Sequence, residues 1–197
     1  SGAQAIGNQS IAQGNLAEAR GSQSIAQGTY AKATGNFSSA QGYFAEATES
    51  NSIAYGRDAK ALGESSIAMG KGAQALYLES VAIGKGAIAK NGKAVSIGSE
   101  NIANGDGAVA IGDPNIATGA GAVAIGKDNT AIGIGAIALG NESLANKDSN
   151  IALGNKAQAT GNQSIAQGSH AEAVGSQSIA QGTYAKATGN FSSAQGY

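Results

Sequence analysis

Glycine recurs at every fourteenth position of the chain, from Gly14 to Gly196, without one insertion or deletion. If each repeat is numbered from slot one, so that the first repeat is 1–14, slot five is alanine in all fourteen copies and slot twelve in thirteen. Slot seven is glycine in ten copies, and slot eleven is isoleucine or valine in twelve. Tyr197 opens a fifteenth copy. An unbroken array requires an architecture in which each repeat packs on the next, so we expect one repeat domain over residues 1–197 without linkers.

Each repeat predicts two short β-strands, because slots two to six and slots ten to fourteen both alternate large and small side chains. Glycine at slots seven and fourteen marks the turns, where it tolerates a positive φ. One repeat is then one coil of a flattened parallel β-solenoid, and fourteen coils at about 4.8 Å predict a rod of about 65 Å. A helical array is excluded because a glycine at every seventh position would cost about 1 kcal/mol each. The fold class predicted is all-β.

Slots three, five and twelve are nearly all alanine, and we expect them to line the interior between two sheets. Their substitutions are Asn101, Asn115, Asn129, Ser143 and Ser96. The chain has no Trp or Cys, and only 5% of its residues are aromatic. An alanine interior buries little apolar area, so a single chain should not be stable alone.

Bulky aliphatic residues occupy slots eleven and thirteen, on the opposite face of one strand. A contiguous apolar stripe of this length indicates an interface. Parallel copies in register around a rotation axis would match every coil; three copies would bury both ladders, and a twofold pairing remains an alternative. The predicted interface comprises Ile53, Ile67, Val81, Ile83, Val95, Ile97, Val109, Ile111, Val123, Ile125, Ile137, Leu139, Ile151 and Leu153.

Two groups of apolar residues interrupt the polar outer face of the second strand, and we consider them candidate ligand-binding residues. Those in slot two are Leu16, Tyr30, Phe44 and Tyr184, and those in slot four are Ile88, Ile102, Ile116 and Leu144. The alternative is that the slot-four residues pack on a neighbouring subunit and the aromatic rings only shield the sheet.

Several classes of function are excluded. A net charge of −1, from 12 basic and 13 acidic residues, argues against nucleic acid as a partner, and no apolar run is long enough to span a membrane. His170 is the sole histidine, and we expect it in a solvated loop. No nucleophile, base and orienting group can be assembled, so we predict no catalytic residues, no metal site, no cofactor and no enzyme activity.

The S-I/V-A-x-G unit, followed by A-x-A, is similar to the repeats of trimeric autotransporter adhesin heads with a YadA-like fold. The resemblance implies a left-handed parallel β-roll, a homotrimer, and a virulence-associated adhesin on a Gram-negative cell surface that is anchored to the outer membrane. It implies host extracellular matrix proteins (fibronectin, laminin or collagen) or host cells as partners. The segments 51–56 and 79–84 are nearest to an N-S-V-A-I-G motif linked to collagen binding. Neck, stalk and membrane anchor are absent from the sequence, so we expect an excised head.

The leading hypothesis is therefore a non-catalytic adhesin head. The alternative is a structural spacer or a self-association (autoagglutination) module of a surface fibre. An ice-binding solenoid would need a regular threonine array, and the threonines of slot six are too scattered.

Two further features predict details of the fold. Gly7–Tyr43 and Gly161–Tyr197 match at 34 of 37 positions, at an offset of eleven whole repeats, so they should form the same three-coil structure. Slot thirteen is glutamine near both ends of the array. If this slot faces the axis of an assembly, we expect hydrogen bonds between these amides or ordered axial water, because buried amides need partners. The alternative is that a twist turns these glutamines to solvent.

Overall fold

The computed structural model describes residues 2–196, so Tyr197 and the fifteenth repeat that it opens lie outside the described residues. The chain forms two compact units, Ser1–Glu100 and Asn101–Tyr197. Each unit is a parallel β-solenoid of seven coils, with two strands in every coil. This confirms the predicted all-β parallel solenoid with 14-residue coils.

Unit 1 contains fourteen strands, which alternate along the chain between two parallel sheets. The strands of its sheet 1 are β1 (Gln4–Ala5), β3 (Glu18–Ala19), β5 (Lys32–Ala33), β7 (Glu46–Ala47), β9 (Lys60–Ala61), β11 (Gln74–Ala75) and β13 (Ile88–Lys90). The strands of its sheet 2 are β2 (Ile11–Gln13), β4 (Ile25–Gln27), β6 (Ser39–Gln41), β8 (Ile53–Tyr55), β10 (Ile67–Met69), β12 (Val81–Ile83) and β14 (Val95–Gly98).

Unit 2 has the same arrangement, with longer strands in several coils. The strands of its sheet 1 are β15 (Ile102–Asn104), β17 (Asn115–Thr118), β19 (Asn129–Ile132), β21 (Leu144–Ala145), β23 (Gln158–Ala159), β25 (Glu172–Ala173) and β27 (Lys186–Ala187). The strands of its sheet 2 are β16 (Val109–Gly112), β18 (Val123–Lys127), β20 (Ile137–Asn141), β22 (Ile151–Asn155), β24 (Ile165–Gln167), β26 (Ile179–Gln181) and β28 (Ser193–Gln195).

Every strand pairs in register with its equivalent one coil away, so that like slots form rows along each unit. In unit 1, for example, Ile67 pairs with Ile53 on one side and with Val81 on the other. Identical slots therefore lie about 4.8 Å apart. This register converts a sequence repeat into rows of similar side chains.

The turns explain why most strands are shorter than predicted. At slot two of most coils the backbone is left-handed even where the residue is not glycine, with φ of 55° at Leu16, 60° at Tyr30, 53° at Phe44 and 58° at Tyr184. Slot nine repeats this conformation, as at Gln23 (φ 55°). The expectation that slot two lies on a strand was wrong. Slot two is the third residue of a β-turn that begins at slot fourteen.

Glycine is needed in the turns for two different reasons. At slot fourteen its φ is positive, +127° at Gly70, a conformation that L-residues rarely adopt. At slot seven most glycines have no positive φ; there a Cβ would overlap the backbone of the next coil, as at Gly35, where it would meet the carbonyl of Glu49. A positive φ was the predicted reason at both slots, and it holds at slot fourteen.

The interior matches the prediction for slots three, five and twelve, whose alanines are buried from Ala17 to Ala187. Slot ten is a fourth interior row that we did not predict, and it consists mostly of buried serines. Several of these hydroxyls bond to the adjacent turn: Ser66 Oγ donates to the carbonyl of Gly63 at 2.7 Å, and Ser80 Oγ donates to the carbonyl of Tyr77 at 2.6 Å. Ser24 Oγ and Ser178 Oγ make no such bond. Where the bond forms, the serine stabilises the turn that starts at slot seven.

A buried asparagine row lies at slot three of unit 2. Asn115 Nδ2 donates to the carbonyl of Gly126 at 2.8 Å and to Oδ1 of Asn101 at 3.0 Å. Asn129 Nδ2 donates to Asn115 Oδ1 at 2.9 Å and to the carbonyl of Gly140 at 2.7 Å. These amides satisfy one another and the adjacent backbone, as buried polar groups must. Asparagine therefore replaces alanine in this interior row with its side-chain amide hydrogen-bonded.

The two duplicated blocks have matching local structure over their described residues. Gln23 Nε2 donates to Gln9 Oε1 at 3.1 Å in the first block, and Gln177 Nε2 donates to Gln163 Oε1 at 3.0 Å in the second. The left-handed φ angles also agree, with 59° at Phe37 and 57° at the equivalent Phe191. Equal sequences adopt equal turns in both units.

Candidate assembly and ligand-binding surfaces

The aliphatic ladders of slots eleven and thirteen lie on the outer face of sheet 2 in both units. Their alanine neighbours at slot twelve point inward and are buried, whereas Ile53 and Ile125 remain 41% and 38% exposed. In unit 2, Ile111 pairs with Ile125 and Val109 with Val123, so the ladders continue from coil to coil. Within each unit, the slot-eleven and slot-thirteen residues therefore lie on the outer face of sheet 2, and their role as an assembly interface stays a prediction.

This exposure is costly in water. Burying an aliphatic side chain of this size contributes roughly 1.5–3 kcal/mol, and contiguous apolar patches on soluble domains indicate interaction sites. The alanine and serine interior cannot compensate, because small side chains bury little area. The ladders are the best candidate assembly surface of the chain.

Glutamines replace the aliphatic residues of slot thirteen toward the ends of the chain. Gln27 Nε2 donates to Gln13 Oε1 at 3.1 Å, and Gln181 Nε2 donates to Gln167 Oε1 at 3.4 Å. These bonds join exposed amides on neighbouring coils of one chain, and the predicted bonding of buried amides at the axis of an assembly stays a prediction. Gln41 differs, since its Nε2 lies 3.4 Å from Ser39 Oγ.

Three aromatic rings gather on the turn at slots one and two of unit 1. The rings of Tyr30 and Phe44 stack with centroids 4.6 Å apart and an interplanar angle of 6°, and Tyr43 meets Phe44 edge-on at 4.6 Å. Such pairs contribute about 0.5–1.5 kcal/mol each beyond area burial. Tyr43 and Phe44 are still 49% and 44% exposed. Tyr43 was missed because only slot two was considered, although slot one precedes it in the same turn.

The other slot-two candidates lie in equivalent turns. Leu16 is exposed one coil before Tyr30, whose backbone N–H donates to the carbonyl of Asn15. Tyr184 is 71% exposed, and its ring stacks on His170 with centroids 4.8 Å apart. His170 is in a turn, as expected, but it is half-buried under this stack rather than fully solvated.

The slot-four candidates lie on the outer face of sheet 1. Ile102 pairs with Ile116 and Ile116 with Thr130, which in turn pairs with Leu144, so these residues form one row in unit 2. Ile116 is exposed, and the others are half-buried. Ile88 is half-buried on β13 in unit 1, beside Gln74.

Sequence reasoning also missed an exposed apolar pair on the opposite turn, Tyr77 and Leu78, which are 53% and 46% exposed. A cleft of about 590 Å³ in unit 2 is lined by Lys147, Asp148, Asn162, Gln163 and Ser176. The Asp148 carboxylate in this cleft accepts a hydrogen bond from the backbone N–H of Ile134 at 2.7 Å.

Among residues 2–196, no three His, Cys, Asp or Glu side chains group as metal ligands. In the same range, no helix is long and apolar enough to cross a membrane.

The chain is a parallel β-solenoid whose outer faces carry regular rows of side chains, and this architecture defines a class of repeat domain. A family model described as the YadA head domain repeat (2 copies) matches ten segments that together cover most of the chain. The segments are 5–31, 19–45, 33–59, 47–73, 61–87, 78–101, 89–115, 117–143, 145–171 and 173–197. The chain belongs to the YadA head domain family and is an adhesin head domain. YadA-like heads belong to non-enzymatic adhesins exposed on the cell surface.

One solved structure with similarity to the chain is the collagen-binding domain of the Yersinia adhesin YadA. It shares 30% sequence identity, with a TM-score of 0.39, over 71% of this chain and 70% of that chain. No curated protein matches the chain. The family assignment therefore rests on the repeat matches.

Proposed function

We propose that this head works as a homotrimer that attaches a bacterium to host extracellular matrix proteins (fibronectin, laminin or collagen) or to host cells. The observation that supports this most strongly is the pair of exposed aliphatic ladders at slots eleven and thirteen. Three chains in register would bury both ladders at a common axis and leave sheet 1 outside. Anchoring to the outer membrane is part of the same proposal.

The candidate contact surfaces for a matrix protein are the slot-four row of unit 2 and the slot-two aromatic rings. Both lie outside if sheet 2 faces the axis, and both are apolar and rimmed by polar residues. A trimer would present each surface three times, so weak contacts with a fibrous ligand would be strengthened by avidity.

Solid-phase binding to heparinase-treated fibronectin, laminin and collagen tests this proposal. We expect Ile102→Ser/Ile116→Ser or Tyr30→Ser/Phe44→Ser to weaken binding roughly tenfold or more, because avidity multiplies each loss across the trimer. The matched control is Tyr77→Ser/Leu78→Ser, which removes an equally exposed apolar pair from the opposite turn. Light scattering should show each variant at three times the 19.1 kDa chain mass.

Unchanged binding in both test variants, with the trimer intact, would remove these surfaces as the adhesive site. If the wild-type trimer bound none of the three proteins but formed larger assemblies, the alternative of a self-association module of a surface fibre would replace the proposal.

A further inference from the structure

The turn at slots one and two forms a continuous edge along unit 1, because the backbone ladder does not stop at the strand ends. The N–H of Asp58 donates to the carbonyl of Tyr43, that of Gly72 to Arg57 and that of Gly86 to Lys71, each at 2.9 Å. Each slot-two N–H thus donates to the slot-one carbonyl of the preceding coil. Successive slot-one side chains therefore emerge one coil apart, about 4.8 Å along the edge.

Cations follow one another along this edge. Slot one carries Arg57, Lys71 and Lys85 in three consecutive coils, and all three are exposed. Arg57 Nε lies 3.2 Å from Asp58 and Lys85 Nζ lies 3.0 Å from Glu100, on exposed side chains where such pairs contribute little. Counted with Asp58 and Glu100, the three slot-one cations leave this edge a net charge of +1.

Charge is segregated between the two sides of the same three coils. Slots one to six hold five cations and a single acid, Asp58; the cations are Arg57, Lys60, Lys71, Lys85 and Lys90. Slots seven to fourteen hold two acids, Glu64 and Glu79, and one cation, Lys93. The near-neutral net charge of the whole chain hides this local excess.

The surface next to Lys71 is open, whereas beside Lys85 the Glu100 side chain would lie 3.4 Å from a Cβ added at Gly86. Slot two is glycine at Gly72 and Gly86, in the left-handed turn position where other coils carry side chains. A Cβ added at Gly72 would meet nothing within 4 Å. A ligand can therefore lie close to the backbone beside Lys71.

In the coils that precede Arg57, the same edge carries aromatic rings instead of cations. Tyr43 precedes Arg57 in the slot-one row, and its ring packs edge-on against Phe44. From Tyr30 to Lys85 the edge spans four coil steps, about 19 Å. It thus combines exposed ring surfaces with a straight row of cations.

We propose that this edge of unit 1 binds a linear sulfated polysaccharide. Aromatic faces carry negative charge density that attracts the C–H faces of sugar rings, and guanidinium and ammonium groups bind anionic oxygens. A straight cationic row at regular spacing fits a linear polyanion, and the cell-surface location of the family favours a glycan over a nucleic acid. The inference goes beyond matrix-protein binding and needs only that the head is exposed at the cell surface.

The test is binding of the intact protein to heparin, to desulfated heparin and to single-stranded oligodeoxythymidine. We expect salt-sensitive binding to heparin and much weaker binding to the other two. Lys71→Ser/Lys85→Ser should weaken heparin binding about tenfold. Tyr43→Leu/Phe44→Leu should weaken it several-fold, and leucine is sterically suitable because Leu16 occupies slot two at φ 55°.

The matched charge control is Lys127→Ser/Lys156→Ser, which removes two cations from slots one and two of unit 2. Each of these lysines lies 3.6 Å from a carboxylate, much as Arg57 and Lys85 lie near theirs, but neither follows an aromatic row or belongs to a run of slot-one cations. The aromatic control is Phe37→Leu, on the opposite turn and 57% exposed. Both controls should bind heparin as the wild type does.

Three results would overturn the inference: no heparin binding at physiological salt, equal losses in test and control variants, or oligodeoxythymidine binding as tight as heparin binding. The matrix-protein assay uses heparinase-treated ligands, so the two assays are independent. A failure to bind heparin leaves the proposed matrix-protein binding standing, and a failure to bind matrix proteins leaves the proposed polysaccharide binding standing.

Discussion

Replacing both Ile111 and Ile125 with aspartate should abolish the trimer and the cooperative unfolding of the chain. The two residues pair on neighbouring coils of sheet 2, so a threefold assembly would gather two carboxylates from each subunit near its axis. An unpaired buried charge costs about 3–5 kcal/mol. The summed cost would exceed the stability of an ordinary domain. Light scattering and thermal unfolding by circular dichroism measure both effects.

The control is Ile102→Asp/Ile116→Asp, which makes the same change on neighbouring coils of sheet 1. Exposure in the single chain is similar for the two pairs, so only assembly should distinguish them. We expect the control to remain trimeric and folded. A double variant at 111 and 125 that is monomeric yet fully folded would contradict the claim that the ladders stabilise the fold through assembly.

Replacing Gly70 with alanine should destabilise the protein by about 3–5 kcal/mol. The added Cβ would lie 2.5 Å from the carbonyl oxygen of Gly84 in the next coil, and φ at Gly70 is +127°. Neither coil can move away without breaking the ladder hydrogen bonds. The thermal unfolding midpoint should fall markedly.

Gly72→Ala, two residues further in the same turn, is the comparison. Its φ is +68° and its added Cβ meets nothing within 4 Å, so the cost should be about 1 kcal/mol. Equal midpoints for the two variants would show that close approach between coils does not dictate glycine at slot fourteen.

The period and the alternation of side chains were enough to predict the coil, its two strands and three interior rows. The serine row at slot ten could have been predicted as well, since it lies two residues before the buried alanine of slot twelve. The left-handed turn at slot two was less visible, because Tyr30 and Phe44 show no preference for that conformation. Glycines at the same slot, Gly72 and Gly86, were the available signal.

Other features depend on which coils become neighbours in space. The bonds between Asn115 and Asn129 were not predicted, although both residues were assigned to the interior, because their pairing follows from the register. The ring cluster was incomplete without Tyr43, since contact between slots one and two depends on turn geometry. The cationic edge of Arg57, Lys71 and Lys85 was missed because slot one was not considered, and because the chain as a whole is nearly neutral.

Site-specific disulfide formation tests most directly whether the outer face of sheet 2 lines the axis of a trimer. The chain contains no cysteine, so each variant carries one thiol per subunit. Ile125→Cys lies in a slot-thirteen ladder on sheet 2, and Ile116→Cys lies on the outer face of sheet 1 in the same unit. A disulfide requires Cα atoms within about 7 Å. Mild oxidation of the native assembly should link two of three subunits in Ile125→Cys and none in Ile116→Cys, whereas cross-linking of Ile116→Cys alone, or of neither variant, would contradict the trimer.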